Sequence, residues 1–286
     1  MTLPVRGGKI RAANGICRVL GSFSIQEAIE TPLWPVAALA LGLIVGSFAN
    51  VCIHRLPLGQ SVVTPRSRCP HCRAAISARD NVPLLSYALL LGRCRYCRAP
   101  ISLRYPLVEA ANGLLYLGLA LQFGSTLRAV VLMAFTTALL VLSLIDLDYQ
   151  LLPDVITLPA IPVGLTASLL PGPPTPLNAA LGAAGGYLTF GLVAWAYHRT
   201  RGGEGLGRGD WKMTAMIGAF LGWDQMLLVV FIASLTGTVV GLALIAFRGG
   251  NGKSRLPLGT FLGLAGIAVS FVGEPVTAWY RGLLHG

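Results

Sequence analysis

The chain has 286 residues, of which 54% are hydrophobic and 12% are charged, and its formal net charge is +11. A soluble domain carries roughly 25% charged residues, so this composition excludes an ordinary soluble fold and points to the lipid bilayer. The excess of positive charge has a membrane explanation too: nucleic-acid binding calls for aromatics interleaved with the basic run, and Arg55–Arg104 has almost none.

Residues 1–32 are basic and then mildly acidic, with Glu27 and Glu30 near their end, and carry little periodicity. Eight apolar windows follow: 33–53, 105–123, 129–145, 155–170, 177–197, 213–223, 227–247 and 256–272. A spanning helix needs about 20 apolar residues. The fourth and sixth windows are short by that measure, but a bundle can bury short helices. The first begins too far into the chain for a secretory signal, and no small-residue cleavage pattern follows it. The expected fold is therefore all-α and polytopic, with about eight transmembrane helices. With the N-terminus outside, the inner loops hold most of the 22 cations, as the positive-inside rule requires. No internal repeat is evident.

One large insertion, residues 54–104, separates the first two windows and falls on the cytoplasmic side. It holds CPHC (Cys69, Cys72) and CRYC (Cys94, Cys97). Each C-x-x-C turn aims two thiolates at one point, and two such turns complete a tetrahedral site, so the spacing predicts structural zinc. Cytoplasmic thiols stay reduced; two disulfides are the alternative. His71 lies between ligands and is left out of the site. Cys52 reads as a small apolar filler.

The acids at the inner boundary are Glu109, Asp146, Asp148, Asp154 and Asp210. A helix turns about 100° per residue, which points Asp146 and Asp148 about 200° apart, so one faces the bundle and the other does not. Pro153 ends that helix, and Asp154 is placed to cap the next. In EGLGRGDWK, Glu204–Lys212, Gly205, Gly207 and Gly209 permit a tight loop, and Asp210 opens the sixth window. Taken alone Asp210 reads as an N-cap. However, topology sets Asp146 and Asp210 at one depth on one side, and ionisable groups there default to functional candidates. If they converge, the two carboxylates share a proton and can run general acid–base hydrolysis.

These motifs resemble those of the bacterial type IV prepilin peptidases, bifunctional leader peptidases and N-methyltransferases. GSFANVCIHRLP (Gly46–Pro57), the two cysteine pairs, RYPLVE (Arg104–Glu109), IDLDYQLLPD (Ile145–Asp154), EGLGRGDWK and LPLG (Leu256–Gly259) occur in the family's order. The resemblance implies a catalytic pair, Asp146 and Asp210, with Asp146 preferred over Asp148 by its distance from Pro153. It implies an active-site loop at Gly207 and Gly209, and candidate substrate or methyl-transfer contacts at Glu109, Gly46 and Asn50. A bland alternative for Glu109 is an ion pair with Arg104. The division implied is an N-terminal segment 1–32, a first span 33–53, the zinc insert 54–104 linked to methyl transfer, and a seven-helix aspartic peptidase core 105–286. Substrates would be prepilins and prepseudopilins in the bacterial inner membrane. The methyl donor would be S-adenosylmethionine, for which the sequence itself offers no soluble-type glycine-rich fingerprint. Beside membrane lipids no further partner is expected, and no nucleic acid. Three other readings remain: a homologue that cleaves without methylating, a metal-dependent transferase using Asp146, Asp148 and Asp154, and an ion-coupled transporter.

Overall fold

The computed structural model describes residues 33–201, 207–248 and 256–285. The segment 1–32 with Cys17, Glu204 and Gly205 of the glycine loop, and Lys253 and Arg255 lie outside the described residues. Nine α-helices occur among the described residues: α1 Leu33–Arg55, α2 Leu85–Leu89, α3 Arg104–Phe123, α4 Leu127–Tyr149, α5 Asp154–Ala167, α6 Pro176–Arg201, α7 Arg208–Leu221, α8 Trp223–Arg248 and α9 Leu258–His285. No strand is formed there beyond two isolated bridges in the insert. The eight long helices coincide with the eight apolar windows.

Five segments are long and apolar enough to cross a membrane: Leu33–Leu58, Leu127–Tyr149, Pro176–Thr200, Trp223–Phe247 and Leu258–Leu283. The other three long helices fall short of that length or apolarity. α5 and α7 have 14 residues each, about 21 Å of helix against a hydrocarbon layer of about 30 Å. α3 carries Arg104, Glu109, Asn112 and Gln122 along its length. A short helix is tolerated where protein shields it, and α7 is central: every residue from Met213 to Leu221 is buried.

Apolar area does not drive helices together in lipid, so small residues and close backbones do. Gly42 and Gly46 of α1 lie against α3, and a Cβ at Gly42 would come within 2.8 Å of the Tyr116 Cβ. Gly182 and Gly186 of α6 meet Gly218 and Thr214 of α7 in the same way, with a Cβ at Gly186 2.7 Å from the Thr214 carbonyl oxygen. Aromatic packing closes the centre, where Phe135 of α4 stacks on Phe220 of α7 with ring centroids 4.4 Å apart. A polar chain crosses the α1–α3–α4 seam: Asn112 donates to the Gly42 carbonyl at 2.7 Å, and the Thr137 hydroxyl lies 2.7 Å from the Asn112 carbonyl oxygen.

The insert does contain an internal repeat that the sequence reading missed. RCPHCRAAIS, residues 68–77, returns as RCRYCRAPIS at 93–102. Both copies fold alike. The Cys69 N–H donates to Ala74, and the Cys94 N–H to Ala99; Arg73 and Arg98 both take a left-handed φ, 57° and 61°. The dissimilar pairs Pro70–His71 and Arg95–Tyr96 hid the likeness.

Candidate active site

Asp146 stands near the C-terminal end of α4, buried, while its neighbour Leu147 is exposed. Its Oδ2 accepts the backbone N–H of Thr260 at 2.7 Å and lies 3.2 Å from the Thr260 hydroxyl, which also reaches the Ser143 carbonyl at 3.0 Å. Thr260 is the third residue of α9, so the free N–H groups and positive end of that helix are aimed at the carboxylate. This approach requires a glycine next door. A Cβ at Gly259 would sit 3.0 Å from the Asp146 carboxyl carbon and Oδ2.

Asp210 is not the N-cap that the sequence suggests. Gly207 takes that position with an extended ψ of 137°, and Asp210 is the third residue of α7. Its N–H bonds the Gly207 carbonyl at 3.1 Å, and its carboxylate folds back on the Gly207 N–H. That is the geometry of a capping box, with an acid at the third position reaching back to the cap. Asp146 and Asp210 stand at the same end of the bundle, flanking one residue. Leu152, buried in the turn after α4, wedges between their supports: a Cβ at Gly209 would come 2.8 Å from the Leu152 Cβ, and one at Gly259 would come 3.0 Å from its Cδ1. Two sequence-distant acids thus meet at one end of the bundle through two glycines that allow α7 and α9 to close on one leucine.

The remaining acids are engaged elsewhere. Asp148 forms a 2.6 Å ion pair with Arg104, whose guanidinium also reaches the Leu144 carbonyl at 3.4 Å. Asp154 does not cap α5, because Pro153 holds the cap position without a side-chain bond. Instead both Asp154 oxygens lie 2.7 Å from the Lys212 ammonium, which ties α5 to the first turn of α7. Glu109 does not pair with Arg104 either. It is buried, and its Oε2 accepts the Leu84 N–H at 2.9 Å, joining the insert to α3. Gly46 packs on the Glu109 backbone, and the Asn50 amide donates to the Tyr105 carbonyl at 3.1 Å. Glu109, Gly46 and Asn50 are therefore neighbours along the α1–α3 seam. Trp211, after Asp210, meets Tyr187 edge-on at 5.9 Å, and its buried indole N–H has no acceptor among the described residues. Sequence reasoning missed Thr260, Leu152 and Lys212, although Leu152 and Lys212 lie inside IDLDYQLLPD and EGLGRGDWK and Thr260 directly follows LPLG.

In the insert the four sulfurs of Cys69, Cys72, Cys94 and Cys97 lie within 4.8 Å of one another. Cys69 and Cys97 are 3.8 Å apart, and Cys72 and Cys94 are 4.0 Å apart. A disulfide needs about 2.0 Å, so the pairs are not bridged. A tetrahedron with metal–sulfur bonds of about 2.3 Å has edges of about 3.8 Å, so the donor set fits zinc. Backbone N–H groups of Cys97 and Tyr96 face the Cys94 sulfur and pull its thiol down to about 6, while Cys72, crowded by the other three sulfurs, is held up to about 11, so without a cation the cluster keeps some of its protons. Beside it Arg95 grips both oxygens of Asp80, at 2.6–3.0 Å, and holds that carboxyl below its ordinary range.

Residues 40–123 match the bacterial peptidase A24 N-terminal domain, and residues 133–242 match the type IV leader peptidase family. The chain belongs to this family. It is 38% identical over 262 residues to the prepilin leader peptidase/N-methyltransferase of Aeromonas hydrophila, covering 83% of this chain and 90% of that one. To the protein of the same name from Burkholderia pseudomallei strain K96243 it is 39% identical over 282 residues, 89% of this chain and 91% of the relative. The Pseudomonas aeruginosa PAO1 relative, also of that name, is 38% identical over 268 residues, 86% and 92% of the two chains. No solved structure matches.

Proposed function

We propose that this family member removes the leader peptide from prepilins and prepseudopilins and then methylates the new N-terminus. The observation that carries the hydrolytic half is the convergence of Asp146 and Asp210 at one end of the bundle, with α9 directing Thr260 at the first of them. Two carboxylates at close range hold one proton between them. The ionised member takes a proton from water as the water oxygen bonds to the scissile carbonyl carbon. The protonated member gives its proton to the carbonyl oxygen, and the tetrahedral adduct collapses as the amine leaves with a proton. Thr260 fixes Asp146 in position, and the Gly207–Gly209 turn does so for Asp210. The substrate helix lies in the bilayer beside the bundle, so that its leader stays in water and the bond to be cut falls at the depth of the acids.

S-adenosylmethionine supplies the methyl group, and the α1–α3 seam with Glu109, Gly46 and Asn50, next to the insert, is where this chain would receive the new amine. Cys69, Cys72, Cys94 and Cys97 would hold a structural zinc that cross-links the insert. The division into segment 1–32, span 33–53, insert 54–104 and peptidase core 105–286 follows from this assignment. So does an inner-membrane location with the N-terminus outside and the insert cytoplasmic, which sets the basic loops inside. The family membership does not support a transporter. A transferase chelating metal through Asp146, Asp148 and Asp154 is disfavoured because the last two are already paired with Arg104 and Lys212.

The test is coexpression of a prepilin with the parent, Asp146→Ala, Asp148→Ala and Asp210→Ala. Processing is expected to be lost in the first and third variants and substantially kept in Asp148→Ala. Full processing by Asp146→Ala would overturn the assignment. The mass of the mature pilin reports methylation separately, and a product without the added methyl would mark a homologue that only cleaves.

A further inference from the structure

The insertion, residues 54–104, is rich in arginine. Its centre, VPLLSYALLL (82–91), is nevertheless a ten-residue run with no charge. A run of that length is too short to span and is typical of buried, re-entrant or interfacial segments. The structure excludes burial. Leu85, Leu89 and Leu91 are 55%, 74% and 84% exposed, and Val82 is exposed beside them. The single turn α2 is inside-out for a water-facing element. Leu85, Ala88 and Leu89, spaced three and four apart, point outward, while Ser86 is buried and spends its hydroxyl on the Arg79 carbonyl at 3.0 Å.

Where this turn sits decides what covers it. Leu84, its first neighbour, gives its N–H to Glu109, which lies more than one turn inside α3. The same residue takes a φ of 58° to make that approach. The Tyr87 hydroxyl reaches the Ile101 carbonyl at 3.3 Å just before α3 begins. α2 is therefore held alongside the first turns of α3, where Leu107 and the preceding Leu103 are 64% and 65% exposed. Both ends of the run carry exposed arginines. Arg79 is bonded to Ser86 through its carbonyl, and the Arg93 N–H donates to Leu90 at 3.1 Å. The nearby acid Asp80 is consumed by Arg95.

We propose that residues 82–91 form a re-entrant interfacial turn that immerses Leu85, Leu89 and Leu91 in the acyl boundary of the leaflet, with Arg79 and Arg93 on anionic phospholipid headgroups. Apolar residues on one face and cations at the edge are the arrangement by which amphipathic segments lie in a membrane surface. The zinc knuckles then stand on the bilayer, seated by this turn. The inference is independent of which residues perform the chemistry.

The full chain would be reconstituted in nanodiscs with a tryptophan introduced singly as Leu89→Trp, Leu91→Trp or Tyr96→Trp, and compared with the parent. Leu89 and Leu91 are largely exposed, so these substitutions disturb no packing. With acyl-chain-brominated lipid, the added emission at 89 and 91 is expected to be blue-shifted and quenched at least about twofold. The added emission at 96, on a knuckle, is expected to be water-like and unquenched. Brominated phosphatidylglycerol should quench more than brominated phosphatidylcholine at equal mole fraction, and Arg79→Gln with Arg93→Gln should remove that excess. Water-like, unquenched emission at 89 and 91 would overturn the proposal. A blue shift without quenching would also overturn it, since it would mean that protein covers the turn. Equal quenching by the two lipids would refute the anionic headgroup contact.

Discussion

Gly259→Ala tests the α9–Asp146 arrangement without altering either aspartate. Gly259 is helical, with no left-handed φ to defend, so alanine is expected to favour the helix by up to about 1 kcal/mol. The cost falls on one neighbour. The new methyl would stand 3.0 Å from the Asp146 carboxyl carbon and Oδ2, about 0.4 Å inside ordinary contact at 3.4 Å. Leu152 Cδ1 can rotate away, but the carboxylate can move only by lengthening its 2.7 Å bond from the Thr260 N–H. Hydrogen bonds to a charged group are worth about 1.5–3 kcal/mol net. Losing the lower figure at the transition state slows turnover about tenfold. The assay is cleavage of a purified prepilin in detergent, with the thermal midpoint and methylation of a pre-cleaved pilin measured alongside. The expected result is kcat down about tenfold, with the midpoint and methyl transfer unchanged. Unchanged kcat would refute the claim that Asp146 is positioned by α9.

Lys212→Met and Asp154→Asn should each slow cleavage severalfold by freeing the first turn of α7, and the double variant should lose little more, because both remove one contact. Their effect on the thermal midpoint should be small, since an exposed pair contributes about 0.2–1 kcal/mol; a strictly additive kinetic loss would refute the coupling. Gly46→Val should lower thermal stability by about 1–3 kcal/mol, because its Cβ would meet the Glu109 Cα at 2.8 Å and backbone cannot yield; an unchanged midpoint would contradict the close α1–α3 approach. Cys69→Ser or Cys94→Ser should lower bound zinc, abundance and methyl transfer before cleavage. Hydrolysis lost at normal abundance with methylation intact would count against a purely structural metal site.

The helices and the candidate acids were legible because they rest on local rules. Apolar windows located all eight long helices, most to within about five residues, though α9 runs 13 residues past its window, to His285. The 100° step of a helix separated Asp146, buried and bonded to Thr260, from Asp148, paired with Arg104. What was not legible depends on long-range partners. Thr260 is 114 residues from Asp146, and the LPLG motif before it does not say which residue it meets. Asp154 looked like a cap because Asp is a good one next to a helix start. The structure instead gives the cap to Pro153 and the acid to a lysine 58 residues away. Hydropathy senses apolarity and not shielding, so it could not tell that Met213–Leu221 of α7 are enclosed by protein.

The two aspartates are supported by different means, and this bears on how the insert relates to them. Asp210 depends on a glycine turn of its own helix. Asp146 depends on α9, and α4 is also gripped from the other side, where Arg104 holds Asp148 and the Leu144 carbonyl. Arg104 follows the second cysteine knuckle by two residues and opens α3, the helix whose Glu109 anchors the insert. The charged link by which the insert's end reaches the Asp146 helix is an ion pair partly exposed on both sides, a contact of about 1 kcal/mol or less. Against this stands the charge-assisted bond from Thr260, buried and stronger. Loosening the knuckles releases the weaker restraint and leaves the stronger one, so the insert steadies the α1–α3 seam far more than it steadies the acid pair.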